Sequence, residues 1–261
     1  MDSDVKLLGK LGENIREALS ASFAASEILR DRLPEGDPAI DETLAAVRHG
    51  QYRLKLISEQ LADLTAMRSG SGRPDLAATD VVRLCAELAD SVSAFVSFTG
   101  VSVRFECSHE ADTVNIDPAM TERMLTELLS NAIRHTHAGN SVLFTLDVSE
   151  DELVFRIRDT GCGFTDNRFS ALYSGSDTGT PEIVPGLGLS SAQYIAGLHG
   201  GRLDVDASPD GSCVSVTLPA DRTPLMRLES PVEHFDSGAE SRLLTGLSSV
   251  LTYKFYMAPY L

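Results

Sequence analysis

Three short motifs, in a fixed order, constrain the fold of this chain more than any other feature. They are Glu127-Leu-Leu-Ser-Asn131 on a helical pattern, Asp159-Thr-Gly-Cys-Gly163 after a strand pattern, and Gly186-Leu-Gly188-Leu opening another helical pattern. Each motif alone is weak. Taken together, they predict one nucleotide pocket, because each supplies groups suited to a metal, a ring or a phosphate.

The first motif places two oxygen ligands on one helix face. Glu127 and Asn131 are four residues apart, so their side chains lie on the same side of a helix. A carboxylate and a carboxamide are ligands that a partly hydrated Mg²⁺ ion accepts. Arg134 follows three residues later and can reach a phosphate from the same side. The alternative is an ordinary solvated helix face, which the pair alone would favour.

The second and third motifs are rich in glycine. Gly161 and Gly163 would let the backbone approach a flat ring, and the Asp159 carboxylate can accept a hydrogen bond from an exocyclic amine such as that of adenine. A glycine-rich hairpin turn explains this motif equally well. Gly186 and Gly188 lie at a helix start, where free N–H groups suit a phosphate. The sequence has neither a P-loop nor a full dinucleotide-binding fingerprint.

The region around the motifs alternates between strand and helix patterns. Runs of alternating polarity at residues 141–148 and 153–157, and again at 202–207 and 213–218, predict two hairpins. Residues 165–185 are rich in Gly, Ser, Thr, Asp and Pro, as in a disordered loop or a functional lid. We therefore expect an α/β sandwich with a mixed, mostly antiparallel sheet over residues 76–220.

The N-terminal part predicts a different architecture. Residues 1–68 carry two helical apolar patterns separated by Pro34-Glu-Gly-Asp-Pro38, which predicts a helical hairpin and makes the whole chain α+β. Because such a hairpin buries one face of each helix, we expect a homodimeric four-helix bundle. A linker follows at residues 69–75. Residues 221–261 form a tail that is either a docking or self-association segment or a loosely ordered C-terminus.

Composition limits the class of protein. The 261 residues carry a formal net charge of −16, which argues against binding along nucleic acid. The four cysteines are widely spaced, and this favours reduced thiols in a cytoplasmic setting. We see no signal-peptide pattern and no apolar run that would span a membrane.

Read together, the motifs resemble the ATPase domain shared by sensor histidine kinases and by the gyrase, chaperone and mismatch-repair ATPases. The resemblance covers residues 76–220 and is closest to the histidine-kinase branch at Ser130-Asn-Ala-Ile-Arg-His-Thr136 and His199-Gly-Gly201. It implies ATP and Mg²⁺ as cofactors. It further implies that Asn131 is a metal ligand, with Glu127 as its neighbour and a catalytic candidate, and that Asp159 recognises adenine. The glycines of close approach would be Gly161, Gly163, Gly186 and Gly188.

The helical hairpin resembles the dimerisation module of histidine kinases but lacks their phosphoacceptor. Glu13-Asn-Ile-Arg-Glu-Ala-Leu19 stands where the family has a histidine motif, and no histidine precedes His49. The resemblance implies a two-component signalling protein that binds ATP and acts on a response regulator or a partner kinase. Two alternatives remain: a kinase that phosphorylates a residue of a partner chain, and an inactive scaffold that pairs with an intact kinase.

Overall fold

The computed structural model describes residues 2–34, 37–161, 187–208, 211–224 and 237–257. They fall into two compact units, which are Met1–Gly72 with Glu229–Leu261, and Arg73–Leu228. The division between Gly72 and Arg73 lies inside the linker predicted at residues 69–75. From the sequence we predicted that residues 221–261 form a tail. In the structure, Glu229–Leu261 belong to the same unit as the N-terminal helices.

Two long helices build the first unit. They are α1 (Asp2–Arg32) and α2 (Pro38–Ser69). The Asp37 side chain caps α2 by accepting a hydrogen bond of 2.9 Å from the Ala39 amide, and Pro38 fits the first turn because its missing N–H would be unpaired there. Gly70 ends the helix in the left-handed conformation, at φ 63°.

The two helices form an antiparallel hairpin. The Ser58 hydroxyl donates to the Gly12 carbonyl at 3.2 Å, and the rings of Phe23 and Tyr52 meet with centroids 5.3 Å apart. Residues later in α1 contact residues earlier in α2, so the two helices are antiparallel. The predicted helical hairpin is confirmed. None of the described helices is both long enough and apolar enough to cross a membrane.

A third element belongs to the first unit. It comprises α6 (Ser237–Gly246) and two 3₁₀ turns, Leu247–Ser249 and Tyr253–Tyr256. All three pieces pack against α2. We refer to residues 237–257 as the C-terminal segment. Residues 237–257, which the sequence predicts to be part of a tail, therefore add to the core of the hairpin.

Among the described residues, the second unit contains two sheets. The strands are β1 (Ala77–Asp80), β2 (Ser102–Cys107), β3 (Thr113–Ile116), β4 (Ser141–Val148), β5 (Glu152–Asp159), β6 (Arg202–Ser208) and β7 (Gly211–Pro219). The main sheet has the order β2-β4-β5-β7-β6, in which β2 and β4 are parallel and every other neighbouring pair is antiparallel. A small antiparallel sheet joins β1 to β3. The predicted mixed and mostly antiparallel sheet is confirmed.

Three of the described helices contact the main sheet. They are α3 (Val81–Val96), α4 (Pro118–His135) and α5 (Leu187–Leu198). Alternate residues of the central strands are buried, as their alternating polarity requires. The resulting core includes Val142, Phe144 and Leu146 of β4, Leu153, Phe155 and Ile157 of β5, and Val214, Val216 and Leu218 of β7.

Asp117 connects three parts of the second unit at the start of α4. Its Oδ1 atom accepts from the Met120 amide and caps the helix, while its Oδ2 atom accepts from the Asp75 amide, both at 2.9 Å. Its own amide donates to Nε2 of His199 at 3.1 Å. One short side chain and its backbone therefore hold α4, the start of the unit and the end of α5 together.

We expect Asp117→Ala to destabilise the second unit by about 1–3 kcal/mol, because it removes a helix cap and leaves the Asp75 amide without its acceptor. Urea unfolding followed by circular dichroism measures the change. Asp206→Ala is the matched control, since Asp206 is exposed on β6 and its loss should shift stability by less than about 0.5 kcal/mol. Equal effects of the two substitutions would contradict the role given to Asp117.

Candidate nucleotide site

Helix α4 carries the first predicted motif. Glu127 is only 7% exposed, Asn131 is half-buried one turn later, and Arg134 is exposed in the last turn. A carboxylate is rarely buried unless it is paired or binds a ligand, because burial penalises its charge. The face shared by Glu127 and Asn131 thus differs from an ordinary solvated helix face.

The end of β5 carries the second motif. Asp159 is 2% exposed, and its Oδ1 atom accepts from the amides of Gly161 at 3.0 Å and Ser212 at 3.4 Å. Its Oδ2 atom accepts from the Ser212 hydroxyl. These bonds compensate the burial of the carboxylate and fix its rotamer.

Gly161 allows two backbones to approach more closely than any side chain would permit. A Cβ atom there would lie 2.0 Å from the His135 carbonyl oxygen and 2.9 Å from the Asp159 Oδ1 atom. The end of β5 is therefore pressed against the last turn of α4. We predicted that Gly161 lets the backbone approach a flat ring; the close approach seen among the described residues is to α4.

Gly211 serves the same end of the site. Its φ is 136°, and a Cβ atom there would lie 2.2 Å from the Asp159 carbonyl oxygen. The close contact allows β7 to start directly beside the end of β5, which brings Ser212 to the Asp159 carboxylate. Two glycines in different parts of the sequence thus position one buried acid.

Helix α5 carries the described part of the third motif. Gly188 is half-buried in its first turn, and α5 packs against α4. His199, just beyond α5, donates from Nδ1 to the Ile195 carbonyl at 2.9 Å and accepts from the Asp117 amide at Nε2. The end of α5 therefore meets the start of α4.

His135 marks the place where α4 and β5 meet. Burial, and next the positive charge of Arg134, lower the pKa of its imidazole below the ordinary value, although the Asp159 carboxylate acts in the opposite direction. The ring is half-buried. We expect a neutral imidazole at the edge of the site at neutral pH, able both to donate and to accept a hydrogen bond.

The structure thus brings the end of β5 to the last turn of α4, and α5 packs against α4. These elements carry the predicted site residues Glu127, Asn131, Arg134, Asp159, Gly161 and Gly188. Gly163, Gly186 and the predicted lid at residues 165–185 lie outside the described residues. Ser212 was not predicted from the sequence. The pairing of β5 with β7, in which Arg158 lies opposite Cys213, brings it beside Asp159.

Comparison with known proteins agrees with this geometry. Residues 116–222 match the family described as histidine kinase-, DNA gyrase B-, and HSP90-like ATPase. This stretch of the chain, from the end of β3 to just beyond β7, contains all of the predicted site residues. This stretch is therefore similar to that ATPase family.

Among the members of this family, the chain is similar to sensor histidine kinases. It is 26% identical to the signal transduction histidine-protein kinase AfsQ2 of Streptomyces coelicolor, over 84% of this chain and 42% of the kinase. It spans 24% to 50% of the length of the curated relatives considered. These relatives therefore contain much that this chain does not match.

Two solved structures share the fold. Full-length ShkA, crystallised in complex with AMPPNP, has a TM-score of 0.64 and 19% identity, over 84% of this chain and 47% of ShkA. ThkA, crystallised in complex with the response regulator protein TrrA, has a TM-score of 0.55 and 16% identity, over 84% of this chain and 64% of that chain. Both matches extend beyond the ATPase domain, and at these identities they show the fold alone.

We expect Gly161→Ala to destabilise the second unit by roughly 1–3 kcal/mol, because the new methyl group would overlap backbone atoms of His135 that cannot rotate away. Thermal unfolding followed by circular dichroism measures the change. Gly197→Ala is the matched control. No heavy atom lies within 4 Å of a Cβ at Gly197, and alanine at this exposed helical position should stabilise by about 0.5–1 kcal/mol. A tolerated Gly161→Ala would contradict the close approach.

Proposed function

We propose that this chain is an ATP- and Mg²⁺-binding signalling protein of the histidine-kinase type, which acts in a two-component system and lacks the phosphoacceptor histidine. The observation that carries the proposal is the buried carboxylate of Asp159, held by Gly161 and Ser212 at the end of β5. The family match over residues 116–222 supports it.

The hydrogen bonds of Asp159 fit the recognition of adenine. An ionised carboxylate has about four acceptor positions. Two on Oδ1 are used by the Gly161 and Ser212 amides, and one on Oδ2 is used by the Ser212 hydroxyl. About one position on Oδ2 remains for an exocyclic amine. The Ser212 hydroxyl, whose proton is committed to Asp159, keeps its lone pairs for a ring N–H or a bridging water.

The α4 face fits the phosphate end of the same ligand. The oxygens of Asn131 and Glu127 are of the hard type that Mg²⁺ takes, and this ion is commonly shared between one or two protein groups and the phosphates. Arg134 adds positive charge in the last turn of α4. Gly188 lies in the first turn of α5, where unpaired amides favour an anion. Gly163 and Gly186 complete the proposed set.

The hairpin does not provide the usual acceptor for the phosphoryl group. Glu13, which stands at the expected position, is exposed on α1. A carboxylate is a poor substitute for the nucleophilic imidazole of a kinase. ATP binding would then change the hairpin or a partner rather than load a histidine. We propose a response regulator, as in the complex of ThkA with TrrA, or a partner kinase as the recipient of this change.

We further propose that the hairpin forms a homodimer. An apolar face remains exposed on both helices, with Leu7, Leu11 and Leu29 on α1 and Val47, Leu54 and Ile57 on α2. Burying such a face against a second copy completes a four-helix bundle. The setting we propose is cytoplasmic, where Cys85, Cys107 and Cys213, which are free thiols here, would stay reduced.

Isothermal titration calorimetry with ATP and Mg²⁺ tests the pocket. We expect the native chain to bind with a dissociation constant in the micromolar range. Asp159→Asn should weaken binding at least about tenfold, or roughly 1.4 kcal/mol. The Asn side chain would place an N–H donor where the carboxylate accepts a hydrogen bond from the adenine amine. Asn131→Ala should reduce the dependence of affinity on Mg²⁺, because it removes a metal ligand.

The control for this titration is Asp206→Asn, the same chemical change at an exposed position of β6. It should leave ATP affinity within about twofold of the native value, since surface changes away from a site are nearly neutral. Circular dichroism of each variant verifies that the second unit is folded. The pocket assignment is wrong if the native chain fails to bind ATP at high micromolar concentration, or if folded Asp159→Asn binds as well as the native chain.

Leu54→Glu tests the dimer. It places a charge in the centre of the exposed apolar face, and desolvating that charge should weaken the association at least about tenfold. Sedimentation velocity over a range of protein concentrations measures the shift toward monomer. Arg53→Glu is the control, since it puts a carboxylate at the neighbouring exposed position, outside the apolar set. A native chain that sediments as a monomer at all concentrations would rule out the homodimer.

A further inference from the structure

The C-terminal segment docks on the hairpin through apolar anchors. Its buried apolar side chains are all leucine or aromatic, and the leucines recur at spacings of three and four residues. The buried side chains are Leu243, Leu244, Leu247, Leu251, Phe255 and Tyr256. Fully burying one such side chain is worth about 1.5–3 kcal/mol. This is the way an amphipathic helix binds in a groove of another protein.

Tyr256 is the central anchor. Its ring lies 5.1 Å from that of His49 and 5.3 Å from that of Tyr52, measured between centroids. On the far side of Tyr52, the ring of Phe23 continues the aromatic cluster onto α1. The cluster therefore runs from the C-terminal segment through α2 to α1.

A polar contact fixes the register of the segment. Because the Ser248 carbonyl can only accept, Nε2 of His49 donates to it, over 2.9 Å. The segment also spans both helices, as shown by a small cavity bounded by Ser26 and Arg30 of α1, Ala45 and Arg48 of α2, and Tyr256 and Met257. The groove that the segment fills thus lies along α2 and reaches α1.

The segment keeps much of its hydrogen bonding internal. The Tyr256 hydroxyl donates to the Leu244 carbonyl at 2.9 Å, and the amides of Leu251 and Phe255 bond to carbonyls of the segment itself. The Ser248 hydroxyl is buried and finds no partner among the described residues. A buried polar group left unpaired costs about 1–3 kcal/mol, which is recovered when water reaches it. These features suit a segment that can leave as a unit.

The groove and the apolar face proposed for dimerisation lie on opposite sides of α2. Residues two apart on a helix are separated by about 200°. Val47 is two residues from His49, and Leu54 is two residues from Tyr52. Val47 and Leu54 are 45% and 50% exposed, whereas the two aromatic positions face Tyr256. The segment can therefore bind to α2 and dissociate from it without disrupting the proposed dimer.

We propose that residues 237–257 are an intramolecular ligand of the hairpin, which occupies with Tyr256 a groove at His49 and Tyr52 and must leave before a protein partner uses that groove. The partner that fits presents an amphipathic helix with leucine and aromatic anchors, because that is what the groove holds. A covalent tether gives the segment an effective concentration of the order of millimolar, so a free partner competes against it.

A labelled peptide tests this inference without nucleotide, so the outcome does not depend on ATP binding. The probe is a fluorescein-labelled synthetic peptide with the sequence of residues 237–257, added to the full chain and followed by fluorescence anisotropy. We expect it to bind the Tyr256→Ala chain at least about tenfold more tightly than the native chain, whose groove is filled. A peptide that carries Tyr256→Ala should bind neither chain.

Lys254→Ala is the control chain, since Lys254 is exposed on the same 3₁₀ turn and its loss should leave the groove filled, as in the native chain. Equal binding of the native peptide to the native and Tyr256→Ala chains overturns the proposal. If Tyr256→Ala does not fold, hydrogen exchange on the native chain decides. Amides of residues 243–257 should exchange at least about tenfold faster than those in the middle of α2. Equal rates would show that the segment unfolds only with the hairpin, which also overturns the proposal.

Discussion

The contact between Gly161 and the backbone of His135 is the constraint on which the site depends. It joins the end of β5 to the last turn of α4 at a distance that excludes any side chain at Gly161. Because Asp159 lies two residues before Gly161, and Asn131 one turn before His135, this single approach sets where the two motifs lie relative to each other. A site assembled by backbone contact is rigid before a ligand arrives, which reduces the entropy lost on binding.

The other end of α4 is fixed by a separate set of polar contacts. Asp117 caps the helix and accepts from Asp75, while its amide donates to His199 at the end of α5. Beyond His199, Gly200 has a φ of 75°, and Gly201 lies so near the Thr217 carbonyl that a Cβ atom would come within 2.1 Å. The sequence His199-Gly-Gly201 therefore turns the chain from α5 into the sheet. A motif that resembles a family signature has a structural reason here.

Local patterns were enough to predict most elements of the second unit. The alternating run at residues 141–148 is β4, and the Asp117-Pro118 pair starts α4 through a side-chain cap. What local patterns could not show is which strands pair across long separations. The β5–β7 pairing brings Ser212 to Asp159, and the two strands are separated in sequence by α5 and β6. The spacing of apolar residues also could not reveal that the ring of Tyr256 lies against that of His49, because the two residues are far apart in the sequence. Long-range contacts of this kind depend on shape complementarity, which a single sequence does not display.

The two units contribute differently to the proposed function. The second unit buries the carboxylates of Glu127 and Asp159, which suits the proposed ligand site. The first unit has two antiparallel helices, and in the proposed function Glu13 takes the place that the resemblance gives to the nucleophile. Two sides of its second helix instead carry contact surfaces, one exposed and apolar, the other covered by the C-terminal segment. The proposed nucleotide binding thus belongs to the second unit, and the proposed protein contacts belong to the first.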